Sequence, residues 1–280
     1  MWANYVNWVR ISSVSKTVSS MEFCTIASGS SGNCSYVGFG EHKFLLDAGI
    51  SGKRIENALF QNNVWGINGI FLTHEHRDHI TGAGIIARRL QTKIYATPMT
   101  WRFFAAEKCL GALDAWQINV IEPGKPMDMG GVTVTAFDIS HDAAQPVGYT
   151  FESAGKKIAC ATDLGCVTDN VKNHLKNSQV ILLESNHDPV MLKNGPYHYR
   201  LKQRVAGERG HLSNAEAGML LAEVANDKLE HVFLAHASAE NNTPFLAHDT
   251  VKRILDGNNV YIKNLTVAER NVPGAVVKCG

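Results

Sequence analysis

The stretch Phe71–Ile80, FLTHEHRDHI, places three of the chain's twelve histidines and two carboxylates within six residues, directly after an apolar run. A solvated turn collects charge but seldom three imidazoles. A structural zinc site normally includes cysteine at short spacing, and none is nearby. The pattern therefore reads as a metal-ligand cluster. One ion rarely takes four ligands from six consecutive residues, because backbone reach and ligand angles conflict. On an irregular loop leaving a strand, His74, His76, Asp78 and His79 can instead divide between two ions.

Such a cluster needs completing ligands from other strand ends, where loops gather on one side of a sheet. His141 in FDISHD, Asp163 in CATDLG and His236 in FLAHAS each follow a strand-like run. Any one alone would be read as a cap or a solvent-facing group. Three in order behind the cluster favour ligands. The donor set accommodates Zn²⁺, Mn²⁺ or Fe²⁺ without choosing among them.

His74-x-His76-x-Asp78-His79, followed by His141, Asp163 and His236, resembles the H-x-H-x-D-H signature and successive ligand motifs of the metallo-β-lactamase superfamily, from about Met21 onward. The resemblance implies an α/β fold, an αβ/βα four-layer sandwich with a dinuclear site at one edge of two sheets. It implies that His74, His76 and His141 bind one metal, that Asp78, His79 and His236 bind the other, and that Asp163 bridges them. ASGSSGN (27–33), LLDAGIS (45–51), ESNHD (184–188), GHLSN (210–214) and HASAENNTP (236–244) together resemble the YycJ/WalJ-type branch. That bacterial cytoplasmic group is associated with 5′–3′ exonuclease activity on DNA.

The chemistry suits phosphodiesters. Two cations about 3.5–4 Å apart can share one hydroxide and clamp phosphate oxygens as charge moves to the leaving group. Asp78, His211 and Glu184 are the candidates for the catalytic step. His211 stands just ahead of Ser213 and could simply brace a helix start. RNase Z-type members of the superfamily pair a comparable histidine with an acid to protonate the leaving oxygen, which is worth about 10²–10⁴-fold. Glu184 or Asp188 would be that acid here. His187 fits either a group behind the ligands or a helix N-terminus. Glu75 and Arg77 read as a surface pair, and GSSGN as a glycine turn.

These readings lead to a metal-dependent phosphodiesterase acting on nucleic acid, with DNA the expected substrate. The alternatives are a small-molecule cyclic phosphodiesterase or a glyoxalase II-like thioesterase. A non-catalytic metal-holding regulatory protein is disfavoured by the complete ligand set. Substrate contacts are sought in Lys193–Arg209, where Lys193, Arg200, Lys202, Arg204 and Arg209 face one acid, Glu208, with Tyr197 and Tyr199 interleaved. A solvated helix face is the plain reading of such a run. Its place between ESNHD and GHLSN instead nominates Arg200, Lys202 and Arg204 to line the substrate's approach.

Elements must bring these residues together. Strands are expected over 22–28, 35–39, 43–47, 69–73, 132–140, 147–153, 156–163, 179–185 and 231–236. Helices are expected over 52–62, 80–91, 98–110 and 214–226, the last opened by a Ser213/Glu216 capping box. Thr243-Pro244 reads as an N-cap followed by proline at the first helical position. No repeat or linker interrupts the pattern, so 21–280 is expected to be one domain.

Bulk composition agrees. The chain has 280 residues, 45% of them apolar and 19% charged, with 27 basic against 26 acidic side chains. A net charge of +1 argues against a protein that is basic all over, while leaving room for a local basic patch. Six cysteines without a CxxC pair suggest buried, reduced thiols and a cytoplasmic location. No run approaches the roughly 18 apolar residues of a membrane span. Residues 1–20 lack an apolar signal-peptide core and are expected to be an N-terminal extension or a misassigned start, tolerant of deletion. Oligomeric state is not encoded in any of these features.

Overall fold

Strands buried on both faces read as near-continuous apolar runs, and this chain is built from them. A computed structural model describes residues 20–279. The first sheet runs in spatial order β14 (Val277–Cys279), β1 (Met21–Ala27), β2 (Cys34–Phe39), β3 (His42–Leu46), β4 (Gly69–Phe71), β5 (Ile94–Ala96), β6 (Ile118–Val120). The second runs β13 (Asn264–Val267), β12 (His231–Ala235), β11 (Val180–Glu184), β10 (Lys156–Ala161), β9 (Val147–Ser153), β8 (Thr133–Asp138), β7 (Met127–Asp128). The predicted 1–20 extension lies, Ser20 apart, outside the described residues.

Side-chain alternation assigns the layers. Phe23, Phe71 and Leu182 point between the sheets, while their neighbours Cys24, Ile70 and Ile181 point outward to helices. Aromatic rings close the central layer: Phe23 lies 5.1 Å from Phe233, and Phe71 5.4 Å from Phe151. Helices α1 (Gly52–Gln61), α2 (Arg77–Ile80), α3 (Ala83–Arg89) and α4 (Pro98–Glu107) belong to the first half of the chain. Ile55, Ile86 and Phe104 from α1, α3 and α4 cover the first sheet. The second half adds α5 (Asp169–Leu175), α6 (Pro189–Asn194), α7 (Tyr199–Val205), α8 (Asn214–Val224) and α9 (Pro244–Gly257). Leu175, Leu221 and Val251 from α5, α8 and α9 cover the second sheet. The result is the four-layer αβ/βα sandwich.

Several boundaries differ from the sequence reading. The helix expected over 80–91 is two helices, broken at Gly82. A Cβ there would lie 2.3 Å from Ile50 O, and the Gly82 N–H donates to Ala48 O at 2.7 Å. The helix expected to reach 110 stops at Glu107, because Lys108 turns left-handed at φ 52°. Strands β5, β6, β7, β13 and β14, two to four residues each, are too short for a repeating pattern. The capping box is present: Ser213 Oγ accepts from Glu216 N, and Glu216 Oε2 accepts from Ser213 N at 2.8 Å. Thr243 likewise caps α9. Cys24, Cys34, Cys160 and Cys279 are buried and unbridged, while Cys109 is exposed.

Strands β3–β6 are parallel, as are β10–β13, so their carboxyl ends share one edge of the sandwich. There the backbone knits the candidate ligand loop to two glycine turns. Asn33 N donates to Asp78 O and Gly49 N donates to Asn33 O, both at 2.7 Å, while Ala48 N donates to His79 O at 2.8 Å. A Cβ at Gly49 would sit 1.6 Å from Asp78 O, so only glycine permits this approach. Gly49→Ala is expected to destabilise the fold by roughly 1–3 kcal/mol, the usual cost of overpacking. It should also lower metal content, since the Asp78 loop must retreat. Urea denaturation and elemental analysis of the purified variant check both effects.

Candidate metal centre

Each predicted ligand sits just beyond a strand. The chain leaves β4 through Leu72 and Thr73 into His74 and His76, then forms the single turn α2 that carries Asp78 and His79. His141 follows β8, Asp163 follows β10 and His236 follows β12. Asp163 and His236 occupy left-handed backbone, φ 57° and 54°, which side-chain-bearing residues rarely adopt and which turns each side chain back over its strand end.

The structure brings all seven together in two groups. Donor atoms of His74, His76 and His141 converge on one point, and those of Asp78, His79 and His236 on another. Asp163 touches both: its Oδ1 lies 3.6 Å from His141 Nε2 and 3.4 Å from His236 Nε2, and its Oδ2 lies 3.1 Å from His79 Nε2.

The donor set fits cations for a specific reason. Four of the five histidines are held through Nδ1, leaving Nε2 turned inward. Nδ1 of His74 meets Thr73 Oγ1 at 2.9 Å, and that of His79 meets Asp47 Oδ2 at 2.7 Å. Nδ1 of His141 meets Gly210 O at 3.2 Å, and that of His236 meets Glu184 Oε1 at 2.9 Å. His76 instead turns Nδ1 toward His141 Nε2, 3.4 Å away. His74 Nε2 is buried without any hydrogen-bond partner. Imidazole nitrogens aimed at one another, each fixed from behind, are the arrangement a bound metal satisfies.

The charges follow from this packing. Burial and the neighbouring His79 push His74 well below the ordinary histidine range, so it is a neutral imidazole, the form that a metal ligand takes. Burial would also lower His79 and His236. The adjacent carboxylates outweigh it, holding His79 well above its usual value through Asp163 and Asp47, and pushing His236 up to about 10 through Asp163, Asp78 and Glu184. Burial would raise Asp78 and Asp163. Hydrogen bonds from His236 and His79 bring Asp78 down, and the charges of His236 and His79 bring Asp163 down.

Glu184 is fully buried at the end of β11, opposite Ala235 on β12. Its Oε1 takes His211 at 2.8 Å as well as His236, and its Oε2 accepts from Leu164 N at 2.7 Å and Leu212 N at 3.1 Å. Burial would raise its carboxyl, but His211 and His236 bring it down to about 2. Of the two acids nominated for His211, the structure brings Glu184 to it. Asp188 caps α6 instead, accepting from Val190 N and Met191 N. His187 is buried behind the site, where its carbonyl accepts from Asn214 N.

One sequence expectation needs correction. Glu75 is not part of a surface pair: it is buried, and its Oε1 accepts from Ala144 N at 2.7 Å, fixing the loop after His141, while Arg77 alone faces solvent. Two cations of the basic run have partners within the protein. Arg204 Nε binds Asp142 Oδ2 at 2.5 Å beside His141, and Lys202 Nζ binds Lys193 O at 2.7 Å. Arg200 is exposed. The residues missed from sequence are Asp47 and Asn33. Asp47, left-handed at φ 57°, also accepts from Thr73 N at 2.9 Å, and Asn33 Nδ2 reaches Asp78 Oδ2 at 3.3 Å. Both sat in quoted motifs, the first as part of a strand end and the second as part of a turn.

The sequence family described as "Beta-lactamase superfamily domain" matches residues 42–237. The chain belongs to the metallo-β-lactamase superfamily. Within it, the chain is 40% identical over 239 residues to a Bacillus anthracis protein named exodeoxyribonuclease YycJ, covering 84% of this chain and 89% of that one. It is 38% identical over 232 residues to exodeoxyribonuclease WalJ of Streptococcus pneumoniae D39, covering 82% and 86%. These relatives place it in the YycJ/WalJ branch. The metallo-β-lactamase fold protein YhfI of Bacillus subtilis superposes with a TM-score of 0.66 at 16% identity, covering 93% of this chain and 99% of that one. The superfamily fold implies divalent metal ions, typically two, and the clusters here fit them.

Because His79 and His236 are held above their usual values, metal loading must displace protons from the cluster. Zinc titration at pH 7 is expected to release more than one proton per chain, and metal affinity should weaken as pH falls. Calorimetry in two buffers of different ionisation enthalpy reads the number directly. Asp47→Ala removes the group that orients His79 and is expected to weaken metal binding about 10–100-fold. Competition against a chelator of known affinity measures it.

Proposed function

We propose that this chain is a metal-dependent DNA hydrolase, a 5′–3′ exonuclease working in the cytoplasm. The observation that carries the reading is the geometry of two ligand triads sharing Asp163 beside a half-open His211–Glu184 pair. In this reading His74, His76 and His141 hold one Zn²⁺, Mn²⁺ or Fe²⁺ ion and Asp78, His79 and His236 hold the second, with Asp163 between them. When bound, the ions supply Lewis acidity toward a phosphodiester and a nucleophile at neutral pH.

The remaining work falls to protein groups. Asp47, Asn33 and Glu184 hold the inner side chains still, so the reacting geometry is set before substrate arrives. His211 Nδ1 donates to Glu184, and its ring stands partly open to solvent, as does Asp78. Burial would lower His211, but Glu184 and Asp163 raise it above its ordinary value and keep it protonated as a proton donor for the leaving oxygen. Arg200, Lys202 and Arg204 on α7 meet phosphates along the approach, with Arg204 positioned by Asp142 at the rim. Among the described residues no helix is long and apolar enough to cross a membrane. The names of the two relatives, both exodeoxyribonucleases, support DNA over RNA.

The test exploits leaving groups. His211→Ala is expected to slow DNA hydrolysis by about 10²–10⁴-fold in kcat while slowing bis-p-nitrophenyl phosphate far less, because nitrophenolate leaves without a proton. Equal losses on both would make His211 a structural brace. Metal-loaded protein that turns over S-lactoylglutathione but no phosphodiester would favour the thioesterase reading.

A further inference from the structure

A second group of metal-ligating side chains lies at the other edge of the sandwich, by the amino ends of β11, β12 and β13. Donor atoms of Glu230, His231 and Cys279 are all within 4.8 Å of one another. His231 opens β12 and His236 follows its far end, so about 16 Å of strand separates this cluster from the metal centre. Cys279 stands on β14, opposite Met21 of β1, and so belongs to the first sheet. Glu230 and His231 come with the second.

Packing brings these groups together. The His231 ring stacks 6.3 Å from that of Phe233, which shares the layer between the sheets with Cys279. Asn264 Nδ2 donates to Glu230 O at 3.0 Å and lies 3.3 Å from His231 Nε2, which fixes the start of β12. Cys24 donates its thiol to Gly274 O at 3.0 Å, but among the described residues no carbonyl takes the buried, unbridged thiol of Cys279. Burial, reinforced by Glu230, pushes that thiol up to about 11 against the pull of Lys156 and Lys263. Burial lowers His231 and so favours the neutral ring that a metal takes.

The donor types select the ion. Sulfur beside imidazole suits zinc-class metals rather than Mg²⁺ or Ca²⁺. One thiolate and one carboxylate carry the two negative charges that a divalent cation cancels. A tetrahedral site with bonds of about 2.0–2.3 Å sets its donors roughly 3.3–3.8 Å apart. The half-buried Glu230 side chain can supply that contraction by rotation. Glu230 also lines a cavity of about 820 Å³ with Tyr261 and Lys263, which leaves a path for an ion and room for water as fourth ligand. We propose that Glu230, His231 and Cys279 hold a further divalent ion of the zinc class, a structural clamp joining β14 of the first sheet to β12 of the second.

Cobalt tests this on the full chain. A thiolate on Co²⁺ gives a near-ultraviolet charge-transfer band, and the seven candidate ligands of the metal centre include no cysteine. The parent is expected to develop that band on titration with Co²⁺ and to bind one equivalent more than Cys279→Ser, which should lose the band. His231→Gln keeps the thiol and should weaken the Co²⁺ titration of the band at least tenfold. Cys166→Ser, altered three residues past Asp163, should leave it unchanged. A parent without the band at saturating Co²⁺ overturns the clamp, as does a band that survives Cys279→Ser or disappears with Cys166→Ser. An unaltered titration in His231→Gln rejects it even where Cys279→Ser fails to fold. None of these readings needs turnover, so the clamp and the nuclease reading stand or fall separately.

Discussion

A single buried carboxylate, Asp163, holds the two halves of the site at one distance. Nε2 atoms of His79, His141 and His236 all lie within 3.6 Å of its oxygens. Burial lowers His141, while the Asp163 carboxylate raises His79 and His236, so this one anion sets the charge of the rings that converge on it. The left-handed backbone at Asp163 puts the carboxylate there, at a cost of order 1–3 kcal/mol that the surrounding packing must offset. The neighbouring turn enforces it: a Cβ at Gly165 would lie 2.3 Å from Glu208 O, so the loop before His211 presses directly on the loop after Asp163. Glu184 repeats the arrangement one strand away, where a buried acid ties His236 to His211 and collects two backbone N–H groups as well.

This dependence explains why the two sheets are not interchangeable. The first supplies His74, His76, Asp78 and His79 from one loop, together with Asp47 from β3. The second supplies single residues from the ends of β8, β10, β11 and β12. Tyr149 Oη donates to Leu72 O at 2.8 Å and Val147 N donates to Thr73 O at 3.0 Å, so the sheets are hydrogen-bonded at the base of the ligand loop. A shift of one sheet against the other would separate the triads from Asp163. The aromatic layer from Phe23 to Phe233 resists that shift throughout the sandwich.

Much of this was legible in the sequence where the signal is local. His74 to His79 announce a ligand loop by spacing alone, the box at Ser213 and Glu216 needs only four residues, and β9 occupies Val147–Ser153 as expected. What depends on distant backbone was not legible. Asp47 looked like the end of a strand, because its role appears only once Thr73 and His79 are 26 and 32 residues away in sequence but adjacent in space. Glu75 looked solvent-facing because its partner, the Ala144 N–H, lies in another loop. The pairing of Arg204 with Asp142 left no sign either, since the two lie 62 residues apart. Residues whose partners are backbone groups of remote turns leave no mark in residue type or spacing.

Charge bookkeeping at the loaded site shows why substrate attraction must come from the rim. Asp47, Asp78, Asp163 and Glu184 contribute four negative charges within one contact network. Two divalent ions contribute four positive ones. The centre would then be close to neutral. A chain of net charge +1 adds no general field to draw a polyanion. What remains is the few cations placed around the mouth. Arg204 is paired with Asp142 and Lys202 with a carbonyl, whereas among the described residues Arg209 donates to the main-chain oxygen of His141 and Arg270 to that of Ala237 and to the Ser30 hydroxyl. Those two arginines therefore have no carboxylate partner among the described residues, Arg209 held at the candidate ligand His141 and Arg270 one residue past the candidate ligand His236.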